Sequence, residues 1–174
     1  TYEQVSERMP ITDEQGKVRP FVLEARKRGV LFDVGHGGAG FWFNQAIPAV
    51  RQGFYPDAFG MDLHRFSMNS GMKDMLNIMS KFLAMGMPLV EIIPAATWGA
   101  ATAIKRDDLG NLDVGAPADI AVLRIREGDF GFMDSARETL RATRKFEAEI
   151  TVRAGRIVWD LNGISGKWID APAN

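Results

Sequence analysis

The sequence predicts an α/β fold in which two strand–loop–helix units precede a small β-rich unit. Three observations lead there. Short unalternating apolar runs at 30–34 and 58–61 each break into a loop and then a helical stretch, as parallel strands covered on both faces do. Behind the second run, Met72, Met75, Leu76, Met79, Phe82 and Leu83 fall at helical spacing, with Gly86 as the stop. After Lys105 the pattern changes: Phe146, Ala148, Ile150 and Val152 alternate with Glu147, Glu149, Thr151 and Arg153, the period of a half-buried strand. Two parallel strands with their helices cannot close a sheet, and a (βα)8 barrel needs eight such units in about 250 residues. The pattern therefore reads as part of a barrel, with a small open α/β domain as the alternative that periodicity leaves standing.

The elements follow in order. Residues 1–19 are polar, with turn signals at Pro10 and Gly16, and read as an irregular connection. A short helix over 20–28 ends in basic residues and Gly29. The run 30–34 then breaks into Gly35-His36-Gly37-Gly38-Ala39-Gly40. Asn44 is the expected N-cap of a helix through Gln52, which places Pro48 in its first turn, where a missing N–H costs least. The second run, 58–61, ends at Asp62-Leu63-His64-Arg65, and Ser70 is the expected cap of the methionine-rich helix. Pro88 opens another helical stretch, interrupted at Pro94 and continuing toward Ile104. A strand is expected at 120–125, and Ala154-Gly155 turns the alternating strand back through Ile157-Val158-Trp159.

Composition excludes several function classes. The chain has 174 residues, enough for one ordinary core, and a net charge of −1. Without a basic excess, a nucleic-acid partner is not expected. The absence of cysteine removes disulfides, thiolate chemistry and Cys-based zinc sites, and suits a reducing cytoplasm. No stretch approaches the roughly 18–20 apolar residues that span a bilayer, so no membrane partner is expected. The first residues carry no signal-peptide pattern, and the missing start methionine leads to the expectation that sequence is missing upstream.

Both apolar runs end on polar residues: His36 after the first, Asp62 and His64 after the second. In a barrel, the C-terminal ends of the strands share one mouth, which would bring His36 and Asp62 to the same rim. Asp62 reads either as a turn-capping carboxylate or as a metal ligand that takes a proton from metal-activated water. His36, in a glycine-rich loop, reads as a backbone-bonded loop histidine or as a substrate contact. His64 faces the mouth or supports it, and Arg65 reads as a surface arginine ahead of a carboxylate binder. Core packing is the reading for Phe41-Trp42-Phe43 and for the methionine-rich helix. Asp33, odd within a strand, is expected to bond to neighbouring groups.

Four segments together carry a family resemblance: Phe32-Asp33-Val34-Gly35-His36-Gly37-Gly38, Met61-Asp62-Leu63-His64-Arg65, Met79-Ser80-Lys81-Phe82-Leu83-Ala84-Met85-Gly86-Met87-Pro88 and Leu109-Gly110-Asn111-Leu112-Asp113-Val114-Gly115-Ala116-Pro117-Ala118-Asp119. From about Gly16 to Trp159 the chain resembles the amidohydrolase superfamily, in its amidohydrolase/deacetylase (dihydroorotase-like) branch. The resemblance implies the C-terminal part of a (βα)8 TIM-type barrel, with 30–34 as strand seven and 58–61 as strand eight. It implies a barrel part over 1–104 and, over 105–174, part of a small composite β-sandwich domain.

The same resemblance implies that Asp62 is both a metal ligand and the general acid/base, with His36 near the substrate; Gly37 and His64 are read beside it as further substrate contacts. One or two divalent ions, commonly zinc, would serve hydrolysis of an amide or ester bond in a small acylated substrate. The family's strand-one His-x-His pair, its bridging ligand and the histidines after strands five and six have no counterpart here, and the chain holds only two histidines. Most metal ligands, and the remaining N-terminal part of the barrel, are therefore expected from outside this chain. Other expectations left open are a homo-oligomer, a cyclic amidohydrolase of the dihydroorotase or hydantoinase kind, and a non-catalytic small-molecule-binding module.

Overall fold

In the computed structural model, which describes Tyr2 and residues 8–170, the two apolar runs lie side by side in parallel. Asp33 and Ala58 form the one bridge pair between them. Val34 N–H donates to Ala58 O (3.2 Å), His36 N–H to Gly60 O (3.3 Å), and Asp57 N–H to Phe32 O (2.8 Å). The direction is the expected one. Each run has too few strand neighbours here to count as regular sheet, and Phe59 N–H turns instead to Ala95 O (2.9 Å).

Five helices stand around these runs among the described residues. Helix α1 (Pro20–Lys27) matches its expectation, with proline at the start and Arg26 and Lys27 in its last turn. Helix α2 (Phe43–Arg51) corrects two details. Its N-cap is Trp42 rather than Asn44, and Pro48 lies inside the helix rather than in its first turn. The reason is long-range: the Phe43 N–H is met by the Asp134 carboxylate at 2.8 Å, so a local capping side chain is unnecessary. Helix α3 (Met75–Ala84) starts at Asp74, whose side chain accepts from Asn77 N–H at 2.7 Å. Ser70, expected in that role, donates its hydroxyl to Ser67 O instead. Pro94 sits inside α4 (Leu89–Ala96), and the break before α5 (Trp98–Ala103) falls at Thr97.

Three antiparallel strands complete the chain in the order β1 (Ile120–Met133), β2 (Thr139–Arg153) and β3 (Arg156–Asp160). Strand β1 runs well past its expected end at residue 125. Its outer half is mostly exposed, and a register shift lies between Glu127 and Phe130, so neither apolar alternation nor an unbroken ladder marks it in sequence. Helices and sheet share one apolar core, in which Val34, Phe41, Ile78 and Phe82 meet Phe132, Ala142 and Phe146. Phe146 N–H also donates to Ser80 Oγ (2.9 Å), and Ser135 N–H to Phe41 O (2.9 Å). No helix among the described residues is long and apolar enough to cross a membrane.

Asp134, 1% exposed in the β1–β2 turn, fastens the two halves. One carboxylate oxygen accepts from Phe43 N–H and the other from Glu138 N–H at 2.9 Å. Hydrogen bonds to a charged partner contribute roughly 1.5–3 kcal/mol each, so Asp134→Ala is expected to cost about 3 kcal/mol or more. Asp134→Asn, which keeps one acceptor, should fall between. Denaturant unfolding of the protein checks this, and a loss below about 1 kcal/mol for the alanine variant would contradict it.

Candidate functional site

The last rungs between the two runs build the site. Gly37 N–H donates to Met61 O (2.9 Å), which sets the Gly37 peptide beside Asp62. Gly37 has φ +47°, and a Cβ there would lie 2.4 Å from Asp62 Oδ2; only glycine lets the carboxylate rest against this backbone. Asp62 itself adopts φ +48°, a left-handed conformation that aspartate tolerates better than most side chains. Such backbone outliers concentrate where a side chain must be held in one direction. The Asp62 carboxylate is exposed and has no side-chain hydrogen bond among the described residues.

Asp62 and His64 line an open pocket of about 300 Å³ with Gly35, Gly38, Ala39, Gly40 and Arg8. The loop after Asp62 is held by Ser67, fully buried: its hydroxyl accepts from His64 N–H (2.9 Å) and donates to His64 O (2.9 Å). Arg65 is exposed, with its guanidinium 4.4 Å from the Phe66 ring centroid, in keeping with a surface role. Phe41 and Phe43 are core residues as expected, while Trp42 donates its indole N–H to Ala39 O (3.0 Å) and steadies the glycine loop.

His36 lies beneath the pocket and not on its wall. It is fully buried, stacked on Phe41 with ring centroids 4.7 Å apart and 13° between planes. Its Nδ1 is 2.9 Å from Gly37 O and its Nε2 is 2.7 Å from Lys81 Nζ. A carbonyl oxygen only accepts, so Nδ1 carries the proton, and Nε2 is left as the acceptor for the lysine. Lys81, also fully buried, donates a second bond to Gly71 O (2.7 Å). Burial, then the Lys81 charge, lowers the His36 pKa from 6.5 to about 4. Burial lowers Lys81 from 10.5 to about 7, with Asp134 opposing that shift and Lys73 adding to it.

The sign of the His36 linkage is fixed by its lowered value. The unfolded state takes up a proton near pH 6.5 that the folded state refuses until about pH 4, so stability conferred by the neutral ring is lost as pH falls across that window. We expect His36→Phe to flatten the slope of stability against pH there by up to about 1.4 kcal/mol per unit, the value of one proton. Parallel slopes for wild type and variant in denaturant titrations at pH 4–6.5 would contradict it.

Of the four residues expected at the site, Asp62 and His64 thus share the pocket, Gly37 backs the carboxylate, and His36 supports Gly37 from below. Sequence reasoning missed Lys81, Ser67, Asp134 and Arg8. The spacing of Ile78, Lys81 and Met85 offered a signal for the first, because it places a lysine on an apolar helix stripe. A larger cavity of about 690 Å³, lined by Ala58, Phe59, Ala101, Ile104 and Leu109, contains none of the expected site residues. Asp33 opens onto it, its carboxylate lying over Gly60 with no side-chain hydrogen bond among the described residues, in place of the bonding expected for it.

As a metal position, Asp62 fits as one ligand: an exposed carboxylate on a pocket wall, without a hydrogen-bond partner among the described residues. No group of three or more His, Cys, Asp or Glu side chains among the described residues would hold an ion by itself.

Comparison with known proteins places the chain in a family. The model of the amidohydrolase family matches residues 43–158. A deacetylase of Agrobacterium fabrum (strain C58) is 37% identical over 124 residues, which is 71% of this chain and 30% of the relative. The crystal structure of an adenine deaminase superposes with TM-score 0.80 at 29% identity, over 87% of this chain and 41% of that one. The crystal structure of a dihydroorotase superposes with TM-score 0.72 at 36% identity, over 79% and 38% respectively. The chain therefore spans less than half the length of each of these three proteins, and its fold is part of a barrel.

Proposed function

This chain belongs to the amidohydrolase family, and on that premise we propose that it is the C-terminal part of a longer metal-dependent hydrolase that cleaves an amide or ester bond of a small acylated substrate. Residues 1–104 are its share of the barrel and 105–174 its share of a small β-rich domain. One observation carries the reading: Asp62 presents a carboxylate that is unengaged among the described residues, at the end of the second parallel run, in a left-handed conformation, on the wall of a pocket shared with His64. The deacetylase relative favours acyl cleavage over other hydrolyses.

A divalent ion, zinc in this reading, would supply an activated water and a polarised carbonyl, with its other ligands from the rest of the protein. Asp62 would be one of the residues holding such an ion, and its carboxylate takes a proton from the attacking water and hands it to the departing amine or alcohol. Gly37 keeps the carboxylate in line, and His64 faces the substrate across the pocket. His36, buried, acts on the substrate side through Gly37. We place it in the cytoplasm, a compartment with which a chain free of cysteine is compatible. The superposed dihydroorotase supports a second reading, hydrolysis of a cyclic amide.

The complete protein tested against N-acyl and O-acyl small molecules and cyclic amides separates these readings. We expect acyl cleavage that a chelator abolishes and zinc restores. Cyclic-amide turnover alone would favour the second reading. Binding without turnover of any of them would leave a non-catalytic module.

A further inference from the structure

Lys81 is an expensive residue to place where it stands. Its amine is fully out of water, in a helix where a methionine would fill the same space without the desolvation of an ammonium. What the amine does there is specific. It donates to Gly71 O, on the segment leading into α3, and to Nε2 of His36, both at 2.7 Å. His36 in turn donates from Nδ1 to Gly37 O (2.9 Å), and Phe41 holds the ring flat from one side. Gly37 then donates to Met61 O, and the Asp62 carboxylate lies against its Cα. The bonds form one directed line from a helix to the pocket, each donor meeting an acceptor. Either protonation state of Lys81 completes it, because a neutral amine still has two N–H groups for its two acceptors.

We infer that Lys81 is a positioning residue for the acyl-cleaving site: acting through His36, it fixes the Gly37 peptide against which the Asp62 carboxylate is aligned. This rests on the hydrolase reading of Asp62. The charged groups around the lysine are Asp134, from the β1–β2 turn, and Lys73, ahead of α3; neither stands between Lys81 and His36. Losing the line would leave the carboxylate in the pocket but no longer held in one direction, which affects turnover more than substrate capture.

The test is a double-mutant cycle in the complete protein with Lys81→Met and His36→Phe. We expect Lys81→Met to lower kcat roughly 10-fold or more, with KM nearly unchanged and the metal content kept. The double variant should be no slower than His36→Phe alone, because the second change removes a link already broken. Losses that multiply, or a Lys81→Met kcat within about 2-fold of wild type while Asp62→Asn is inactive, would overturn the inference. A measurement on wild type guards against variants that misfold: the ¹⁵N resonances of His36 should show protonated Nδ1 and an accepting Nε2, and an Nε2–H ring would overturn it as well. Turnover persisting in Asp62→Asn would remove the hydrolase reading instead, and the ring resonances would still report whether the Lys81–His36 link exists.

Discussion

Asp62→Asn in the complete protein is expected to lower kcat by roughly 10²–10⁴-fold, the range for loss of a general acid/base, and to leave the fold intact. The two halves of that expectation have separate grounds. Asparagine matches aspartate in shape and, like it, accepts the left-handed backbone that Asp62 adopts at φ +48°, so no strain is added. The side chain is exposed and bonds to nothing among the described residues, so stability should move by no more than about 0.5 kcal/mol, as for ordinary surface changes. The amide, however, cannot take a proton from water and is a poorer ligand for a divalent ion. Steady-state kinetics beside a thermal melt decide it. Near-normal turnover would end the assignment, and a collapsed melt would mean that Asp62 is structural.

Gly37→Ala should be nearly as damaging, for a steric reason. The new methyl would arrive 2.4 Å from Asp62 Oδ2, closer than any real contact, and φ +47° adds backbone strain of about 1–2 kcal/mol for a side chain with a Cβ. The carboxylate must swing away, and a displacement on the order of 1 Å at a reacting group can cost about 10²-fold in rate. Gly53→Ala is the control. Gly53 has φ +74° with nothing within 4 Å of its Cβ position, so the variant should share the backbone cost without the loss of turnover. Equal activities for the two alanine variants would mean that the Gly37–Asp62 contact does not matter to the reaction.

The parts of this architecture legible in sequence are those where neighbouring residues decide the outcome. The apolar runs at 30–34 and 58–61 lie parallel as their pattern requires, and the polar residues behind them stand at one end of the pair. Helix α1 has its proline start, basic end and glycine stop in consecutive residues. What escaped is what distant residues decide. The start of α2 is set by Asp134, 91 positions away, so Asn44 looked like the better local cap. The outer half of β1 is held by its ladder to β2 and not by a buried face, and no alternation marks it. His36 was visible as a residue at the rim but not as a buried one, because its depth depends on Phe41 stacking and on an amine from a helix 45 positions later. Lys81 was written in an apolar stripe, and polarity alone does not tell a solvated lysine from a buried one.

The measurement that bears most directly on the central claim is a native mass spectrum of the complete protein, wild type beside Asp62→Asn, recording polypeptide mass and bound metal together. We expect one or two divalent ions per chain in a polypeptide well above the mass of these 174 residues, with metal retention weakened in the variant. A wild-type protein that takes up no metal when zinc is supplied, or identical metal content and hydrolysis in both proteins, would contradict it.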